Sequence, residues 1–174
     1  QHREMLDQVN AVFGIRPDHD LDLMSKGAGL AEMTARTIEA VGRLLQQDRP
    51  DVVVVQGDTT SAFCAALAAF YEKIPVVHLE AGLRTGDIYS PFPEEVNRRL
   101  VGRFAALHLA PTRSSRRNLL REGVDPATVA VTGNTVIDAL GTAVRLEPVH
   151  RDQQVAEFLS RSGPLLLVTC HRRE

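Results

Sequence analysis

Apolar positions along the chain repeat with two different periods. Met5, Leu6, Val9, Val12 and Phe13 recur at helical spacing across Arg3 to Phe13, and Gly14 follows as a C-cap. Asp20 to Met24 alternates apolar and polar, which predicts a short strand or extended segment. Leu30 to Leu45 places Leu30, Met33, Ile38, Val41, Leu44 and Leu45 on one helical face. Asp51 to Gln56 is different: its valines follow one another without alternation, the pattern of a strand buried on both faces of a parallel sheet. A small-residue helix over Ser61 to Tyr71 and a strand over Pro75 to Leu79 come next. A helix then opens at Pro93, with Glu94 and Glu95 in its first turn where the dipole favours acids. Ala106 to Ala110 and Val129 to Val131 read as strands, separated by a helix that Thr112 caps and Gly123 ends. Asn134 or Thr135 starts another helix, Arg151 to Leu159 is helical, and Leu165 to Val168 is a final strand. Strand and helix in alternation predict an α/β fold with a doubly wound parallel sheet.

Composition narrows the class. Of 174 residues, 44% are hydrophobic and 24% charged, which is globular and not disordered. Twenty basic against 22 acidic residues give a net charge of −2, which argues against a dedicated nucleic-acid binder. Cys64 and Cys170 are too far apart for a C-x-x-C site, and two cysteines make no disulfide framework, so a cytoplasmic setting is expected. No apolar run approaches the ~20 residues of a membrane span. The chain opens at Gln1 and stops at Glu174 directly after a strand-like run, so an interior piece of a longer protein is expected.

In an open parallel sheet, ligands bind beyond the carboxyl ends of the strands. Here those ends are polar and glycine-rich: Gly57 to Thr60, Glu80 to Gly86, Ala110 to Thr112, Thr132 to Thr135 and Thr169 to Glu174. Asp58 is placed to cap a helix and to hold a carboxylate at the rim. Glu80 ends an apolar strand, a partly desolvated position suited to general acid or base work; its plain alternative is a salt bridge to Arg84. Of Glu94 and Glu95, one suffices for the helix dipole and the other is free to face a cleft. His78 reads as a hydrogen-bonded core residue. His171, with Arg172 and Arg173, suits a phosphate or another leaving anion, against a solvated basic turn as the alternative. There is no P-loop, no complete dinucleotide fingerprint, no zinc spacing and no nucleophile elbow.

Several long motifs together resemble the bacterial non-hydrolysing UDP-N-acetylglucosamine 2-epimerases. They are Gln1 to Leu6, Gly57 to Thr60, His78 to Gly86, Ser90 to Arg98, Thr132 to Leu140 and His171 to Glu174, in family order. The resemblance implies two Rossmann-like domains in the GT-B arrangement. Residues 1–146 would form the N-terminal domain without its opening strand, and 147–174 a linker, helix and first strand of the second. It implies interconversion of UDP-GlcNAc and UDP-ManNAc by loss and return of UDP through 2-acetamidoglucal. It maps catalytic roles onto Asp58, Glu80, Glu94 and His171, and substrate binding onto Arg84, Thr59, Asn134 and Arg172. It places Gln1, His2 and Glu4 at an allosteric UDP-GlcNAc site. It implies no metal or redox cofactor, no nucleic-acid or membrane partner, and a cytoplasmic homodimer. A hydrolysing relative that releases ManNAc and UDP, a non-catalytic nucleotide-sugar sensor and, more weakly, a GT-B glycosyltransferase are the rival expectations.

Overall fold

The computed structural model describes residues 3–24, 27–146 and 152–160 and positions 163, 164, 166 and 168; the side chain of Glu4 lies outside that description. Helices α1 (Arg3–Phe13) and α2 (Leu30–Asp48) come first. Strands β1 (Val53–Gln56), β2 (Val76–Leu79), β3 (Leu107–Ala110) and β4 (Val129–Val131) follow, joined by α3 (Thr60–Tyr71), α4 (Glu94–Phe104) and α5 (Arg113–Arg121). Then come α6 (Thr135–Arg145) and α7 (Gln153–Leu159). The four strands form one parallel sheet in the order β1-β2-β3-β4. Parallel neighbours need a crossover between them, and a helix supplies it each time. The predicted α/β parallel sheet is therefore the fold observed.

Register sets which side chains share a face. Val55, His78, His108 and Val129 lie in one row across all four strands, and all four are buried. On the opposite face Val54 and Leu107 are exposed. The main apolar cluster joins Leu45 of α2, Val55, Val76, Val101 of α4 and three alanines of α3, Ala66, Ala68 and Ala69. Alanine has no bulk to hold elements apart, so α3 sits close to the sheet with α2 packed on it. A smaller cluster of Ala81, Ala110, Leu119 and Val129 closes the β3–β4 end. Gly82 is required there: its φ is +86°, and a Cβ would fall 2.3 Å from the Ser115 carbonyl oxygen of α5.

Two expectations are corrected. Asp20 to Met24 forms no strand; Asp22 has a φ of +40°, and the Asp20 and Asp22 carboxylates instead pair with Arg3 of α1. The helix expected from Pro93 begins one residue later, with Pro93 at its N-cap. The strand expected over Leu165 to Val168 includes Leu165 and Leu167, which lie outside the described residues. Among the described residues no helix is long and apolar enough to cross a membrane.

Candidate functional site at the carboxyl rim of the sheet

The turn after β1 carries Asp58, and three elements hold it. Gly57 takes a φ of +74° and donates its N–H to the Leu79 carbonyl of β2 at 3.0 Å. The His78 ring Nε2 lies 2.8 Å from the Gly57 carbonyl. From α4, the Asn97 side-chain amide donates to the Asp58 carbonyl at 2.9 Å, and the Arg98 guanidinium pairs with the Asp58 carboxylate. The Asp58 side chain keeps 26% of its surface open while Arg98 keeps 11%. Asp58 does not cap α3; Thr59 does, accepting from Ala62 N–H at 3.2 Å. The Asp58 carboxylate is thus turned to Arg98 at the rim and not to the helix N-terminus.

Glu80 follows β2 with a φ of +62°, the left-handed region that a non-glycine residue occupies only where its surroundings hold it. Its Oε1 accepts from the Gln56 side-chain amide at 2.8 Å, and Gln56 also donates to Thr135 Oγ1 at 3.2 Å. A Cβ built on Gly57 would lie 3.6 Å from Glu80 Oε2, so the Glu80 carboxylate rests against the Asp58 turn. The end of β1 thus links Glu80 to the start of α6. Asn134 caps that helix through Val136 N–H at 3.1 Å.

The two acids that open α4 divide their work. Glu95 is fully buried: it accepts from Thr85 N–H at 3.1 Å and pairs with Arg98 at 3.5 Å and Arg99 at 2.9 Å. Glu94 is partly buried and stands four residues before Arg98, on the same helix face. Its helix is therefore joined to Asp58 through Arg98. The loop from Glu80 to Glu94 folds on itself, with Thr85 Oγ1 donating to Ser90 O at 2.6 Å, and its Ser90–Pro91 and Phe92–Pro93 bonds are cis.

Arg84 does not meet Glu80. It forms a two-toothed pair with Glu122 at the end of α5, at 2.7 and 2.8 Å, and its side chain is 8% exposed. The Arg84 hydrogen bonds hold the Glu122 carboxyl below its ordinary value. His171, Arg172, Gln1 and His2 lie outside the described residues, as does the side chain of Glu4. The rim thus gathers Asp58, Glu80 and the N-terminus of α4, with Thr59 and Asn134 as caps on its border. Gln56 and Glu122 were not singled out by sequence reasoning, Asn97 and Arg98 entered it only within the Ser90 to Arg98 motif, and Glu95 only as one of two acids opening the helix; the Glu95–Arg98 spacing of three on a helix was the one available signal.

Beneath the rim, burial pushes the His78 and His108 imidazoles below their usual values, and the nearby Arg84 charge acts the same way. Both rings are essentially inaccessible. His78 meets the expectation of a hydrogen-bonded core residue. Carboxylates grouped in this way can take up and return protons, and can face positive charge developing on a bound molecule.

The family model described as UDP-N-acetylglucosamine 2-epimerase matches residues 1–174. The chain belongs to this family. The UDP-N-acetylglucosamine 2-epimerase of Salmonella typhimurium is 53% identical over 100% of this chain and 48% of its own length. The Escherichia coli K12 enzyme is 52% identical over the same shares. A crystal structure of a UDP-N-acetylglucosamine 2-epimerase superposes with a TM-score of 0.82 at 51% identity, covering 87% of this chain and 42% of that one. The Neisseria meningitidis UDP-GlcNAc 2-epimerase bound to UDP-GlcNAc gives 0.79 at 52% identity, covering 83% of this chain and 40% of that one. This chain therefore spans about half the length of the curated relatives it matches. Its sheet is the Rossmann-like α/β unit of that GT-B fold.

Proposed function

We infer that the full-length protein interconverts UDP-GlcNAc and UDP-ManNAc by epimerisation at C2. The observation that carries this reading is the grouping of Asp58 and Glu80 around Gly57, with α4, the helix that Glu94 opens, tied in through Arg98. Elimination of UDP across C1–C2 leaves 2-acetamidoglucal and UDP; re-addition from the other face inverts C2. The C2 proton is weakly acidic, so departure of UDP runs ahead and builds positive charge on the sugar. Carboxylates aimed at that charge stabilise it. One carboxylate takes the proton and another returns a proton to the opposite face. His171 and Arg172 are assigned to the departing diphosphate, and Arg84, Thr59 and Asn134 to substrate. Arg84 acts there through the Glu80–Glu94 loop, because Glu122 already occupies its guanidinium. Gln1, His2 and Glu4 are assigned to a second UDP-GlcNAc that activates the enzyme. Residues 147–174 begin the second domain, and the enzyme works as a cytoplasmic homodimer that needs no metal.

The test is product analysis by proton and phosphorus NMR after incubating the full-length protein with UDP-GlcNAc. The expected product is UDP-ManNAc with its diphosphate intact. Free UDP and ManNAc would replace this reading with the hydrolysing one. Binding of UDP-GlcNAc without any product would leave a nucleotide-sugar sensor.

A further inference from the structure

We propose that Glu95 is a positioning residue for the rim acids, acting through Arg98 on Asp58 and through Thr85 on the loop between Glu80 and Glu94. The proposal rests on the epimerase reading for its kinetic consequence. Its structural basis is that this one carboxylate has no access to solvent, contacts α4 and the loop between Glu80 and Glu94 directly, and reaches the Asp58 turn through Arg98. Oε2 accepts from Thr85 N–H in the loop and faces Arg98; Oε1 takes Arg99. Arg98 has one terminal nitrogen toward Glu95 and the other on Asp58. A guanidinium is planar and rigid, so fixing one nitrogen fixes the direction of the other. Asn97, the preceding residue of α4, holds the Asp58 carbonyl and completes the clamp. A dipole role needs no burial, and Glu94 already provides an acid in the first turn. A buried pair that served packing alone would have no reason to turn half of its cation onto a rim carboxylate.

The test uses the full-length protein and UDP-GlcNAc, with kcat and KM measured for Glu95→Gln, Arg98→Gln and the double variant. Glutamine keeps the size of Glu95 and can still accept from Thr85. Each single variant is expected to lose about 100-fold in kcat with KM held within about threefold, because a displaced carboxylate loses alignment before it loses substrate. The double variant is expected to fall no further than Arg98→Gln, since both changes break one chain of contacts. A kcat within about threefold of wild type, or a double variant equal to the product of the singles, overturns the proposal. Hydrogen exchange at residues 57–60 gives a reading independent of turnover. It is expected to quicken about tenfold in Glu95→Gln while β2 and β3 stay protected; unchanged exchange overturns the proposal even if the epimerase reading itself fails. Should Glu95→Gln not fold, Glu95→Asp replaces it, with the charge kept, the reach shortened and the same directions expected.

Discussion

Helices α3 and α4 pack against each other over the same sheet, yet they bury opposite kinds of residue. The buried positions of α3 are Cys64, Ala66, Ala68 and Ala69. Those of α4 are Glu95, Asn97, Arg98, Val101 and Gly102. The first helix gains by close approach: small side chains let it lie on the strands and exclude water. The second spends its N-terminal turn on charge that must be paired to be tolerated. Only its later turn, at Val101, joins the apolar core. Burial alone therefore does not separate scaffold from site. What separates them is whether the buried polar groups are directed at something, and Asn97 and Arg98 of α4 are directed at Asp58.

The largest expected effect removes the centre of the charged side. Glu95→Ala removes one of the two carboxylates paired with Arg98, leaving Asp58, and takes the acceptor from Thr85 N–H, so it should cost about 3 kcal/mol in urea unfolding. A loss under about 1 kcal/mol would mean that α4 is no different from an ordinary surface helix. Ala69→Leu on α3 attacks the packing side. It should cost about 1–3 kcal/mol by overpacking, with kcat per folded molecule unchanged. A kcat that falls with it would erase the distinction between the two helices.

Acidification gives a smaller and separable effect. His78 and His108 have lowered values in the folded state, so the unfolded chain binds protons first. Stability is full above about pH 6.5 and falls as pH drops below it toward the folded values. Thermal unfolding of His108→Gln should show a shallower fall over that range than wild type. Glu122 adds a later loss: its lowered carboxyl stabilises the fold above the ordinary carboxylate range, and that contribution goes as pH falls through it. The smallest effect belongs to Arg99→Gln. Its side chain is 36% exposed, and Glu95 keeps Arg98 and Thr85, so about 1 kcal/mol or less is expected.

Hydrophobic pattern, apolar runs and capping residues predicted α1 to α7 and β1 to β4 because each of these signals lies within its own segment. It could not predict partners. Arg84 was matched to nearby Glu80, whereas Glu122 lies 38 residues away and takes the guanidinium through the packing of α5. Asp58 was expected to cap α3, and Thr59 does so one position later because Asp58 is drawn to Arg98, 40 residues on. The pattern allowed one of Glu94 and Glu95 to face a cleft, but only the closure of α4 onto the loop shows that Glu95 is the internal one. The alternation at Asp20 to Met24 gave no strand, because Arg3 draws in the Asp20 and Asp22 carboxylates of that segment. Element type is a local property of sequence, whereas a site is made of contacts that only the fold creates.

The most direct test of the central claim follows deuterium at C2 of UDP-GlcNAc in D2O, using full-length wild type, Asp58→Ala and Glu80→Ala. The account predicts deuterium entering C2 as UDP-ManNAc forms in wild type, and no exchange in either folded variant. Exchange near the wild-type rate in either variant would contradict the assignment of the β1 and β2 rim as the place where the C2 proton is handled.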